Sequence, residues 1–275
     1  MLVKTPFVKM HASGNDFIIV DNRLGKVYEN PAEAVRRLCR RKFSVGADGM
    51  IFIESSDIAD FRWHFFNLDG GEVEMCGNGS RCAARFAYLK GIAGRKLAFE
   101  TLAGIIHAEV KENSVKVQLT KPFDYRAGLA LDLGGACPVD ASYINTGVPH
   151  VVYFVDDLEA RDVCGIGART RYHETFAPSG TNANFVRVDG RNGMSIRTYE
   201  RGVESETLAC GTGATAAALI AGAKGLVDSP VRLKTQGGGT LTVYFEWDGN
   251  EFTDVYLEGD AVLVYQGVFE DGAFL

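Results

Sequence analysis

One short phrase occurs twice in this chain. Cys76-Gly77-Asn78-Gly79 opens an apolar run, and Cys210-Gly211-Thr212-Gly213 opens another. A Cys-Gly-polar-Gly step running into an alanine-rich segment predicts a helix with a thiol at its N-terminus. The first helix is expected over 77–90, stopped by Gly91, and the second to about Lys224. Ala214, Ala216, Ala217, Ala218, Leu219, Ile220 and Ala221 make the second apolar nearly all round, so it is predicted to be buried on every side. Two such helices in one chain predict a duplicated fold. Each half would be a curved, barrel-like sheet around one central helix, with a cysteine at the helix mouth.

The segments between the phrases read mostly as strands, so the fold class is mixed α/β of the α+β kind with a mainly antiparallel sheet. In the first half strands are expected at 7–10, 17–21, 50–54, 61–67, 97–101, 105–110 and 115–119. Pro31 opens a helix with Ala34, Val35 and Leu38 on one side. Leu68-Asp69-Gly70-Gly71 is a turn. The second half repeats the plan, with strands at 143–145, 151–155, 184–188 and 195–199. Four more, at 231–234, 241–245, 252–257 and 261–265, close the chain. Pro122 and Gly134-Gly135 mark the boundary between the halves.

The 275 residues are 46% hydrophobic and 23% charged, with a net charge of −6. That is the profile of a soluble protein with a substantial core. No basic run points to nucleic acid. Residues 1–10 lack the apolar stretch of a signal peptide, and no run is long enough for a membrane span. A cytoplasmic protein with reduced thiols is expected. The cysteines stand at 39, 76, 82, 137, 164 and 210, with no CxxC pair. Cys39, Cys82, Cys137 and Cys164 read as structural residues, Cys82 on the helix face that also carries Phe86 and Leu89.

A helix N-terminus has free N–H groups and a partial positive charge. It favours a thiolate and binds a carboxylate, and the glycines at 77, 79, 211 and 213 let backbone approach a ligand closely. A carboxylate between two such termini would have Cys76 and Cys210 on opposite faces of the adjacent carbon. One sulfur as thiolate would remove a proton, and the other as thiol would return one to the far face. Configuration at that carbon inverts. Pyridoxal phosphate is the usual electron sink for this chemistry, but no phosphate-cradling loop with an obvious Schiff-base lysine stands out. A cofactor-free route relies on matched acid and base in a dry site. Asn15, Asn67, Asn182 and His150 lie near the thiol phrases and read either as turn or structural residues or as site residues. Arg201, after Glu200, reads as a surface ion pair or as a fork for a second carboxylate.

The chain resembles diaminopimelate epimerases, cofactor-independent two-thiol enzymes of lysine and peptidoglycan synthesis. The matching phrases are Met10-His11-Ala12-Ser13-Gly14-Asn15-Asp16-Phe17, Phe66-Asn67-Leu68-Asp69-Gly70, and Glu74-Met75-Cys76-Gly77-Asn78-Gly79-Ser80-Arg81-Cys82. Others follow at Asn145-Thr146-Gly147-Val148-Pro149-His150, Thr181-Asn182-Ala183-Asn184-Phe185, Tyr199-Glu200-Arg201-Gly202 and Glu206-Thr207-Leu208-Ala209-Cys210-Gly211-Thr212-Gly213. The resemblance implies interconversion of LL- and meso-2,6-diaminopimelate, with Cys76 and Cys210 as the acid–base pair. It implies that Gly77-Asn78 and Gly211-Thr212 hold the reacting carboxylate. Asn15, Asn67, Asn182 and Arg201 would grip chiefly the distal end of the substrate. His150 and Glu200 would support the thiols and the reacting amino group. It implies no cofactor, no metal and a homodimer. Two pseudo-symmetric halves are implied, 1–122 joined by the final strand 263–275, and 123–262. Many members carry Asn where Val148 stands, and some carry Gln where Gly49 stands.

Three other readings stay open on sequence. A proline racemase or hydroxyproline epimerase of the same fold would need no distal arginine. A non-catalytic binding protein would need no paired thiols. A zinc protein would use the thiolates as ligands, but the cysteines lack close pairing and His150 is the only helper nearby. Activity is therefore expected to survive dialysis against a strong chelator. A loss that zinc restores would overturn the metal-free reading.

Overall fold

A computed structural model describes residues 4–25, 30–134 and 139–270. In chain order the first elements are β1 (Pro6–Ala12), β2 (Asn15–Asp21), α1 (Pro31–Leu38), β3 (Gly49–Glu54), β4 (Phe61–Asn67), β5 (Glu72–Val73), α2 (Gly77–Leu89), β6 (Lys96–Thr101), β7 (Gly104–Val110) and β8 (Val115–Gln118). Then come β9 (Phe123–Leu131), β10 (Val139–Asn145), β11 (Pro149–Phe154), α3 (Val163–Arg171), β12 (Asn182–Gly190), β13 (Gly193–Glu200), β14 (Ser205–Thr207) and α4 (Gly211–Ala223). The last are β15 (Val231–Lys234), β16 (Thr240–Trp247), β17 (Phe252–Gly259) and β18 (Val262–Val268). Contacts divide the chain into two compact units, Met1–Gln118 with Gly259–Leu275, and Leu119–Glu258.

In the first unit β18 pairs antiparallel with β1, and β1 antiparallel with β2. β2 runs parallel to β3, which pairs antiparallel with β4. β5 folds back on β4, and β6 lies parallel to β4 before β7 and β8 complete the sheet antiparallel. A parallel neighbour cannot be reached by a tight turn, so each parallel step needs a crossover. α1 supplies the first and α2 the second. Met50, Ile51, Phe52 and Ile53 of β3 are all buried, the continuous apolar run of a strand covered on both faces. α1 is capped by Asn30, whose side chain accepts from Glu33 N–H, and it starts on Pro31. It lays Val35 and Leu38 on Phe7, Ile18, Met50, Phe52 and Phe66. α2 packs against β1, β2, β3, β7 and β8, so the sheet wraps around it.

The second unit has the same succession. β9, β10 and β11 are antiparallel neighbours, and β11 is parallel to β12. β12 pairs antiparallel with β13, β14 folds back on β13, and β15 lies parallel to β13. β16 and β17 complete the sheet antiparallel. The crossovers are α3 and α4, and α4 packs against β10, β11, β12, β13 and β16. The repeat reaches the helix ends. Gly91 after α2 and Gly225 after α4 are left-handed, at φ 67° and 70°. Ile92 N–H returns to Ala87 O and Leu226 N–H to Ala221 O, so both helices stop in the same C-terminal motif. Residues 214–221 of α4 are all buried, as its composition predicts.

Several expectations change. β9 and α3 have no counterpart in the sequence reading. β9 spans most of the stretch from Pro122 to Gly134, and it is largely exposed with Gly128 at φ 66°. α3 hides behind Gly165 and Gly167, both poor helix formers. Each has a packing reason: a Cβ at 165 would sit 2.1 Å from the capping Asp162 carboxylate, and one at 167 would sit 2.5 Å from Tyr199 Cβ. Cys164 on α3 is exposed, unlike buried Cys39 and Cys82. Leu89 at the end of α2 is 48% exposed, so it leaves the buried face that holds Cys82 and Phe86. Gly135, Cys137 and residues 271–275 lie outside the described residues.

Gly49 stands where a side chain has no room. It pairs with Asn67 in the ladder, and a Cβ there would lie 2.6 Å from both Phe66 O and Phe65 Cε2. Gly49→Ala is expected to lower stability by about 1–3 kcal/mol, the range for overpacking. Urea unfolding checks this, and an unchanged midpoint would show that β3 shifts freely.

Candidate active site

The two thiols occupy matching positions and differ in environment. Cys76 is the N-cap of α2, with extended backbone (φ −146°, ψ 118°), and its Sγ accepts from Gly79 N–H at 3.4 Å. It is half-buried, with Asn15 Oδ1 4.0 Å away. Cys210 is the N-cap of α4, also extended (φ −121°, ψ 111°), and is 9% exposed. Its Sγ lies 3.5 Å from Thr212 Oγ1. Burial and the charge of the Glu200 carboxyl push the Cys210 thiol well above the usual thiol range, against the hydroxyl of Thr212. Burial raises Glu200 in turn, opposed by Thr207 Oγ1, which donates to Glu200 Oε1 at 2.5 Å. A helix N-terminus alone predicts an eased thiolate, but at Cys210 burial outweighs it and the proton stays on sulfur.

The loop between β1 and β2 meets the mouth of α2. Asn15 Nδ2 donates to Asp48 Oδ2 at 2.8 Å, and Asn78 Nδ2 donates to Asn15 Oδ1 at 3.2 Å. Asp48 also accepts from Arg41 at 2.8 Å. Beside it Asp16 binds Arg41 and the buried Lys9. Burial alone would raise Asp16, but hydrogen bonds from Arg41 and Lys9 prevail and hold it at about 2. Asn67 ends β4 with an exposed side chain. Its carbonyl accepts from Gly70 N–H at 2.8 Å, closing the turn that leads to β5 and Cys76. Gly77 is buried in the first turn of α2.

In the second unit β11 and β12 run in parallel with His150 opposite Asn182. The Asn182 amide bridges backbone, donating to Pro149 O at 2.9 Å and accepting from Arg201 N–H at 2.8 Å. The latter contact places Arg201 just past β13. Its guanidinium donates to Ser179 O at 3.0 Å, and among the described residues it makes no ion pair. The loop after it is tied down by Glu204, which accepts from Gly202 N–H, Arg171 of α3 and Tyr199. Gly211 begins α4 buried, and Thr212 O accepts from Thr146 Oγ1 at 3.0 Å.

His150 is fully buried, and its protonation follows from its neighbours. Asn184 Oδ1 accepts from Thr198 Oγ1 at 3.0 Å, so its Nδ2 donates to Val151 O at 2.9 Å and to His150 Nδ1 at 3.2 Å. The imidazole proton then sits on Nε2, which is buried without a partner among the described residues. Burial first, and the Arg201 charge second, lower the ring to about 3.

Sequence reasoning did not single out Asp48, Arg81, Asn184 or Thr207, because each acts through another residue. Two of the glycines expected to admit a ligand serve packing. A Cβ at Gly213 would lie 2.3 Å from Asn184 Oδ1, and one at Gly79 would lie 3.3 Å from Trp63. Among the described residues no group of three or more His, Cys, Asp or Glu side chains is placed to hold a metal ion.

The sign of the His150 linkage is fixed by its lowered value. Unfolded chain takes up a proton at the ring below about pH 6.5, whereas the folded protein does so only near about 3. The contribution is complete above pH 6.5 and falls as pH drops through that window, by up to about 1.4 kcal/mol per unit. A His150→Gln variant should lose this part of the slope in urea midpoints between pH 7 and 4. An identical slope would show that His150 titrates normally.

Sequence comparison gives a match to the family described as Diaminopimelate epimerase over residues 7–123 and 142–264. The Diaminopimelate epimerase of Aquifex aeolicus is 48% identical over 273 residues, covering 95% of this chain and 96% of that protein. Among solved structures, a phenazine biosynthesis protein from Bacillus anthracis superposes with a TM-score of 0.72 at 20% identity, over 96% of this chain and 98% of its own. A probable proline racemase from Agrobacterium radiobacter K84 gives 0.71 at 15% identity, over 98% and 95%. These two likenesses establish the fold.

Proposed function

The chain belongs to the diaminopimelate epimerase family, and we propose that Cys76 and Cys210 are the acid–base pair with which it interconverts LL- and meso-2,6-diaminopimelate. One observation carries this reading: each unit presents a cysteine as the N-cap of its buried helix, among N–H groups that helix geometry leaves free. In one direction Cys76 takes the α-proton as thiolate while Cys210, held protonated, delivers its proton to the other face. In reverse the roles exchange.

The hydrogen beside a carboxylate is a very weak acid, so the developing negative charge must be met. The N–H groups at Gly77-Asn78 and Gly211-Thr212 meet it at the reacting carboxylate. The guanidinium of Arg201, which makes no ion pair among the described residues, takes the distal carboxylate as a planar fork, and Asn15, Asn67 and Asn182 frame that distal end. Glu200 and the neutral His150, whose Nε2–H has no partner among the described residues, attend the Cys210 thiol and the reacting amino group. The reaction runs without a cofactor and serves lysine biosynthesis. We place the enzyme in the cytoplasm as a homodimer, and the apolar side chains that β18 exposes, Val262, Val264, Tyr265 and Val268, support the dimer.

Incubation with LL-diaminopimelate in deuterated water should place deuterium on the α-carbon and yield the meso form. Cys76→Ala and Cys210→Ala should each lower kcat by about 1000-fold or more, because inversion needs a group on each face. Full epimerisation by either variant would sink the two-thiol mechanism. Turnover of proline but not of LL-diaminopimelate would transfer the protein to the racemase reading.

A further inference from the structure

Arg81 stands in the second turn of α2 and is fully buried. Among the described residues its hydrogen-bond partners are all neutral. Nε donates to Asp260 O at 3.0 Å, and Nη2 donates to Ser13 Oγ at 3.2 Å and Asn78 Oδ1 at 2.9 Å. Nη1 is buried with no partner there. A guanidinium buried without a carboxylate in contact is costly, so its charge must be answered through the groups it touches.

Those groups lead to two carboxylates. Ser13 Oγ in turn donates to Asp260 Oδ1 at 2.8 Å. Asn78 Nδ2 donates to Asn15 Oδ1 at 3.2 Å, and Asn15 Nδ2 donates to Asp48 Oδ2 at 2.8 Å. The direction of every link in this second chain follows from donor and acceptor chemistry. A guanidinium only donates, so Asn78 must turn its oxygen toward Arg81 and its NH2 toward Asn15. A carboxylate only accepts, so Asn15 must turn its NH2 toward Asp48. Neither amide can turn over without setting donor against donor at one end and acceptor against acceptor at the other. Asp48 is itself anchored by Arg41 and by Asp16 N–H.

We propose that Arg81 and Asp48 are positioning residues, the two ends of a hydrogen-bond chain that locks the Asn78 and Asn15 amides in one orientation for substrate. Each amide then keeps one N–H free in a set direction, and the second lone pair of Asn15 Oδ1 faces the Cys76 thiol at 4.0 Å. Hydrogen bonds in such a chain also polarise one another, which strengthens the hold. The inference rests on the epimerase reading of Asn15 and Asn78, and adds what fixes them.

The test uses Asp48→Asn, because Asp48 is half-exposed and its replacement keeps size and fold. An amide at 48 can present a donor, which releases the far end of the chain. With asparagine side chains labelled by nitrogen-15, the Asn78 NH2 resonance should shift in Asp48→Asn, although Asp48 does not touch Asn78. The same variant should lower kcat/KM for LL-diaminopimelate by about 10-fold, and by less than about 3-fold when Asn15 is already alanine. An unmoved Asn78 resonance, or an equal loss in both backgrounds, overturns the proposal. A wild-type protein without epimerase activity overturns the epimerase reading instead, and the resonance shift still decides whether the chain exists.

Discussion

Two parallel strand pairings govern this molecule, β4 with β6 and β13 with β15. Parallel neighbours cannot be joined by a hairpin, so the chain between them must cross over. Here the crossing chain is a helix that the curved sheet surrounds. A surrounded helix must be apolar and slim, which accounts for the alanines of α4 and the buried small residues of α2. Its N-terminus has to emerge at the sheet's end, with free N–H groups and whatever side chain caps it. In both units that side chain is a thiol. The placement of the two thiols is thus a consequence of strand topology.

Within this repeated frame the electrostatics are unequal. Cys76 caps its helix through sulfur and sits half-exposed beside an amide chain. Cys210 is buried beside Glu200, and burial and that carboxyl keep its proton on. An acid–base pair benefits from such a difference, because one group must accept while the other donates. His150 follows the same logic: burial and Arg201 keep it neutral, so it carries an N–H and no charge. Burial is also the largest cause at Cys39, which it pushes up to about 12 against the charge of Lys9.

Much of this was legible because duplication repeats local signals. The glycine stops after both helices, the buried run of β3 and the start of α1 at Pro31 are near-neighbour effects, and near neighbours are adjacent in sequence. α3 was not legible, since its glycines answer Tyr199 and the Asp162 cap and so weaken the helical signal. β9 carries few buried residues and so has little pattern. The count of crossovers would have found α3: a second parallel pair in a repeated plan requires one. The bridge that the Asn182 amide makes between Pro149 O and Arg201 N–H is visible only once β11 and β12 lie side by side.

The sequence by itself determined the two capped helices, their cysteines and the strand-rich duplicated plan, because capping, periodicity and glycine stops act over a few residues. Tertiary structure decided which polar groups are free and which are spent. The proton on Cys210, the tautomer of His150, the placement of Arg201 and the orientation of Asn15 and Asn78 all depend on partners distant in the chain. Burial and hydrogen bonding are properties of position in space, and no local pattern of residues carries them.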